Sequence, residues 1–306
     1  MPVLNSSGDA QYEPRISAQP QLMAETAPRR ARAFPVCANP RCASGWLQLW
    51  RKRGVPVVEG GWLCSPACTR ARVEDLLRRE QAEARPAPPH RHRVPIGLTL
   101  LTQGWITHQD LKDALEAQRK GSRLRLGEWL VAHRGLKEEQ LTQALGLQWS
   151  CPVFSLEKQA GSLPANIVPR LFSESFGFVP LRLTASGRLY LAFEDRIDHS
   201  LALAMERMVG LQVVAGLLGA TEFREAQRLF AQGHFARARL IEAGNLELLA
   251  EAFSRQIEKE KPAEARLVRV HDLVWLRLWR DMESRDHAQA AVSGIEDVIG
   301  SVVRFP

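Results

Sequence analysis

No Gly-Lys pair occurs anywhere in the 306 residues, so the chain has no G-x-x-x-x-G-K-[ST] loop to cradle nucleotide phosphates. That excludes a P-loop motor. No apolar run approaches the roughly 18–20 residues that span a bilayer. Met1 to Arg15 lacks both the basic start and the apolar stretch of a secretory signal. The expected location is therefore the cytoplasm. Catalytic constellations are missing too: there is no convincing Ser/His/Asp, Cys/His or paired-carboxylate arrangement, and His271-Asp272 and His287 stand isolated. An enzyme is not expected.

Acidic residues are scarce in one region only. Before residue 95 there are 15 lysines and arginines against 8 acidic residues, and after it 26 against 26, so the whole net charge of +7 lies in the front section. Such an excess reads as a solvated surface and linker, or as the footprint of a nucleic acid or acidic partner.

Cysteine is also sparse, yet four of the five are paired in sequence: Cys37-x4-Cys42 and Cys64-x3-Cys68. Without a secretion signal, such pairs read as metal ligands rather than disulfides. Four thiolates close a tetrahedral Zn2+ shell, which points to a structural rather than a catalytic ion. Pro56 to Glu59 reads as a short strand, Gly60-Gly61 as a turn, and Trp62-Leu63 as the return strand into Cys64. Arg70 to Glu80 reads as a helix, which places Cys68 near its positive end, where a thiolate is favoured. The segment is a treble-clef or ribbon-like finger. Cys151, alone beside Pro152, reads as a buried thiol.

Along the chain, residues 1–35 are polar and aperiodic and read as disordered. The four-cysteine zinc finger takes 36–80, and 81–94 is a basic Pro-rich linker carrying His90 and His92. Residues 95–149 hold a tandem helical repeat. Ile96-Gly97-x-x-Leu100 followed by Leu111, Ala114, Leu115 and Gln118 recurs 30 positions on. The second copy is Leu126-Gly127-x-x-Leu130 with Leu141, Ala144, Leu145 and Gln148. Six of these pairs are identical in one gapless register, which marks a duplicated helical hairpin. Thr107 with Asp110 forms a capping box. Gly97 and Gly127 allow a close approach by backbone or ligand.

At this point the sequence resembles the N-terminal domain of type II secretion and type IV pilus assembly ATPases, over a stretch reaching about Phe230. Members of that family carrying Arg-Leu-Gly then Leu, Leu, Ala-Leu and Gln in tandem bind cyclic di-GMP. The resemblance implies nucleotide contacts at Ile96, Gly97, Leu100, Gln118, Arg125, Leu126, Gly127, Leu130 and Gln148. Arg125-Leu126-Gly127 keeps the motif, whereas Pro95 stands where the family carries arginine and offers no charged donor. Arg93 lies close enough in sequence to substitute.

From 150 to 232 an α+β layer follows, in the order helix-strand-strand-helix-strand-helix, as in the resembled family. Phe178 to Leu183 and Arg188 to Phe193 form a hairpin across Ala185-Ser186-Gly187. Asp198 caps a helix ending at Gly210, Leu211 to Ala215 is a third strand, and Thr221 caps a closing helix. Residues 233–306 match no known pattern. Asn245 can cap a helix to about Glu260. Ala265 to Arg280 reads either as two strands turning at His271-Asp272, with the polar face outward, or as one helix.

The fold class expected is α+β: finger, tandem helical repeat, small α+β layer and an unplaced C-terminal segment. The expected role is a cytoplasmic regulatory or adaptor protein with a protein partner, implied by the resemblance to belong to a secretion or pilus system. A cyclic di-GMP receptor and a zinc-finger nucleic-acid-binding regulator are the alternatives.

Overall fold

A computed structural model describes residues 36–43, 56–82, 93–157, 163–281 and 294–302. The readings of 1–35 as disordered and of His90 and His92 in a linker lie outside them. Among the described residues no helix is long and apolar enough to cross a membrane.

The finger hairpin pairs β1 (Val57–Val58) with β2 (Gly61–Trp62). Its turn lies one residue earlier than Gly60-Gly61: Glu59 and Gly60 both take positive φ, 51° and 70°, the pattern of a tight two-residue hairpin turn. Helix α1 (Pro66–Ala82) follows directly. Proline suits its first position because no helical bond needs that N–H.

The repeat consists of α2 (Ile96–Thr102), α3 (His108–Arg119), α4 (Leu126–Arg134) and α5 (Glu138–Trp149), with helices starting at equivalent positions in the two halves. Its core is equally duplicated. Leu100 with Leu130, Ala114 with Ala144, and Ile106 with Leu136 are all buried in one cluster. The Thr107 hydroxyl accepts from Asp110 N and the Asp110 carboxylate accepts from Thr107 N, closing the capping box.

Next come α6 (Arg170–Phe176), β3 (Phe178–Leu183), β4 (Arg188–Phe193), α7 (His199–Val209), β5 (Gln212–Leu217) and α8 (Ala220–Ala231). The three strands form a sheet in which β3 is antiparallel and β5 parallel to the central β4. Asp198 caps α7 through Leu201 N at 3.0 Å. Thr221 does not cap α8: Gly219 holds the N-cap position, and Thr221 lies inside the helix, bonded to Glu138 of α5.

The C-terminal segment is a structural centre rather than an appendage. It folds as β6 (Arg237–Ala243), α9 (Leu246–Glu260, capped by Asn245), β7 (Glu264–Val270), β8 (Leu273–Trp279) and β9 (Ile295–Val302). The chain turns between β7 and β8 at His271, φ 52°, which settles the two-strand alternative. These strands and the finger hairpin form one six-stranded sheet, ordered β2-β1-β7-β8-β9-β6. Both faces are covered. Leu267, Val274, Leu276, Leu278 and Val298 pack under α1 and α9, while Val268, Val270, Trp275, Trp279, Ile295 and Ile299 join the core of the three-stranded layer.

Two sequence expectations are thereby corrected. The strand at 273–279 has no outward polar face, and Arg277 is completely buried. Nor is the finger isolated by a linker: β1 pairs in parallel with β7, Val58 opposite Ala265, and α1 packs along α9. Local sequence carries no signal for either contact, because both join segments more than half the chain apart.

Candidate metal centre and the duplicated helical face

Two tight turns bring the four cysteines together. In the first, the Asn39 side chain accepts from Arg41 N and its backbone carbonyl accepts from Cys42 N, both at 3.0 Å. In the second, the Ser65 hydroxyl accepts from Cys68 N at 3.3 Å as α1 begins. The hairpin turn between them lets the chain return: a Cβ at Gly61 would lie 2.4 Å from the Cβ of Ala38.

The Sγ atoms of Cys37, Cys42, Cys64 and Cys68 all lie within 4.8 Å of one another. Cys42 to Cys64 is 3.5 Å and Cys64 to Cys68 is 3.7 Å. Thiolates held about 2.3 Å from a tetrahedral ion stand about 3.8 Å apart, so the four donors fit that shell. Burial pushes the Cys37 thiol up to about 12. A cation bound there has to displace this proton. Cys151, which burial pushes up to about 11, takes no part in the cluster.

The second candidate site is the repeat. Its two glycines make the same contact: a Cβ at Gly97 would lie 2.6 Å from Leu111 Cδ1, and one at Gly127 2.5 Å from Leu141 Cδ1. The close approach is thus between helices. Leu100 and Leu130 have no exposed surface and serve the same core, with Ile96 and Leu126 half-buried against it.

The polar positions lie nearer the surface. Arg125, 70 % exposed, forms an ion pair with Asp195 in the segment after β4. Gln118 is exposed, and Gln148 Nε2 donates to Val94 O at 2.7 Å. Arg93 stacks its guanidinium 3.2 Å from the centre of the Trp149 ring, so in this arrangement it does not fill the place vacated at Pro95. Sequence alone does not single out Asp195, because the role of an acidic residue in a loop depends on what folds beside it.

No protein-family model matches the chain, and no curated protein does. Among solved structures, one of MshE with cdg is 21% identical, with a TM-score of 0.37, covering 45% of this chain and 99% of that one. The N-terminal domain of XpsE is similar at 20% identity and a TM-score of 0.33, covering 44% and 91%. A second crystal form of that domain gives 17% and 0.26, covering 47% and 100%. Likeness this weak assigns neither family nor function.

Proposed function

We propose that the chain is a non-enzymatic cytoplasmic regulatory or adaptor protein, a scaffold stiffened by one structural zinc that presents its duplicated helical unit to a protein partner. The observation that carries this reading is the unequal cover on two equivalent faces. On α5, Leu145 packs against the main core, and the Glu138 carboxylate accepts from Thr221 N at 2.7 Å and from its hydroxyl at 2.8 Å. On α3 the equivalent Leu115 is 41% exposed. It lines a shallow groove with His108, Leu111, Lys112, Glu116 and Arg119. Among the described residues nothing covers that groove. The basic rim suits a helix that offers aliphatic side chains between acidic ones. By resemblance, such a partner is a component of a secretion or pilus machine.

The test is crosslinking in cells with wild type and Leu115→Asp, followed by identification of what is bound. Recovery of a secretion or pilus component by wild type and its loss from the variant supports the reading. Equal recovery by both overturns it.

A second reading, a cyclic di-GMP receptor, is favoured by Arg125. Its side chain is exposed at the start of α4, where the helix end also favours an anion. For a nucleic-acid role the exposed arginines are Arg70 and Arg78 on α1, which are ion-paired with Glu74 and Asp75 as Arg125 is with Asp195.

A further inference from the structure

Strand β7 would be an edge of the six-stranded sheet if the finger were absent. Residues 265, 267 and 269 turn their backbone groups towards that edge, and finger or α1 atoms meet all three. Glu59 N donates to Ala265 O at 2.8 Å. The Glu59 carboxylate accepts from Leu267 N at 3.1 Å. The Glu80 carboxylate at the end of α1 accepts from Arg269 N at 3.0 Å. One backbone amide and two carboxylates therefore stand where a neighbouring strand would be.

The two halves of this cover are held differently. Glu80 sits on a helix of 17 residues packed along α9 and is also bound by Arg207 of α7. Glu59 sits in the turn between strands of two residues each, which meet β7 at one residue pair, Val58 opposite Ala265, and through the hydrogen bonds of Glu59 and Gly60. A hairpin that short does not persist on its own. What fixes it is the burial of Val58, Trp62 and Leu63 in the core shared with α1, α9 and the sheet, together with the cysteine cluster at both of its ends.

We propose that the metal-bound finger is a latch over the outer edge of β7, and that on metal release this edge pairs with β7 of a second copy of the chain. The proposal rests on the metal reading above. Unpaired edge strands are templates for another chain, and β7 has the composition for it: Ala265-Arg266-Leu267-Val268-Arg269-Val270 is rich in apolar and β-branched residues and contains no proline. The edge is also self-complementary. Antiparallel pairing centred on Leu267 sets Ala265 opposite Arg269, so each outward N–H meets an outward C=O. Glu80 acts as the second catch, displaced by the incoming strand.

The test uses the full chain, zinc-loaded and chelator-treated, with metal content, amide exchange and light-scattering mass read on the same samples. In the proposed case zinc is stoichiometric before treatment. Removing it speeds exchange over 264–268 at least tenfold at low concentration, β8 and β9 stay protected, and the mass doubles at higher concentration. Glu80→Ala should tighten the metal-free dimer while the zinc-loaded variant stays monomeric. Stoichiometric zinc with unchanged exchange overturns the latch and leaves the metal reading standing, whereas no zinc overturns both. Faster exchange without a change in mass overturns the pairing. Loss of protection throughout β8 and β9 overturns the latch as well, because the finger would then be general scaffolding.

Discussion

Arg277 and Asp297 face each other directly across β8 and β9, both with no exposed surface, in a two-point ion pair of 2.7 and 2.8 Å. Trp275 Nε1 donates to the same carboxylate at 2.7 Å. The remaining guanidinium donors reach the carbonyls of Asn166 and Ile167, in a 3-10 turn (Ala165–Ile167) ahead of α6. The pair thus joins the six-stranded sheet to the layer on its inner face, with the two charges matched and four guanidinium hydrogen bonds made. Asp297→Ala leaves the guanidinium buried without its counter-charge and should cost about 3–5 kcal/mol. Arg277→Met with Asp297→Leu should cost much less. Denaturant unfolding of the single and double variants checks both figures, and equal losses would show that the charges are incidental.

The four cysteines should hold one zinc per chain, measurable by elemental analysis of protein never exposed to chelators. Cys64→Ser should abolish stoichiometric binding. Because the hairpin belongs to the same sheet as β7, the variant should also lower the thermal midpoint of the main transition instead of loosening the finger alone. An unchanged midpoint would falsify this coupling.

If the repeat binds cyclic di-GMP, Arg125 is its remaining charged donor from the two motif arginines. Arg125→Ala should abolish the calorimetric signal. Pro95→Arg should strengthen binding about ten- to a hundredfold, the worth of one charge-assisted bond of roughly 1.5–3 kcal/mol. Tight binding untouched by Arg125→Ala would sink the carry-over from the resembled family.

Gly97→Ala and Gly127→Ala should each destabilise by about 1–3 kcal/mol, since the added carbon meets a leucine within a packed core, and this outweighs the roughly 1 kcal/mol that alanine gains in a helix. Trimming the opposing side chain, Leu111→Ala or Leu141→Ala, should relieve the clash. Double-mutant cycles for 97 with 111 and for 127 with 141 should give similar couplings. Unequal couplings would mean that the two halves no longer share one packing solution.

The repeat should also loosen in acid. Hydrogen bonds from Thr107 hold the Asp110 carboxyl below its ordinary 3.8, and the Arg134 guanidinium does the same for Asp113. Depressed carboxylates stabilise the fold fully above their unfolded value, and that contribution is lost as pH falls through the folded one. Their contribution should therefore be complete above about pH 5 and fall away as pH drops past 3.8 and through the lowered folded values. In Arg134→Gln, NMR titration should show Asp113 moving up further than Asp110. The reverse order would mean that the ion pair is not the main cause at Asp113.

Local rules were legible in the sequence and long-range ones were not. The four cysteines announced a cluster because ligand chemistry is specific, and Asp198 and Asn245 announced helix starts because their partners lie three residues away. Arg277 defeated the same reading: an arginine between apolar residues looks like a solvent-facing position unless its buried partner, 20 residues on, is known. Thr221 has the chemistry of a cap, yet the approach of Glu138 moved that role to Gly219.

The bond from Gly60 N to Glu264 Oε1 joins residues 204 positions apart, and this bears on the order of assembly. At about 5–20 residues per second of synthesis, the cysteine hairpin emerges roughly 10–40 s before the strand it must lie against. The repeat, built from near neighbours, is free to form in that interval, whereas the sheet forms only after β7, β8 and β9 have followed. Contacts this distant in sequence slow folding, so nascent chains halted before residue 264 should carry a finger hairpin without its partner strand.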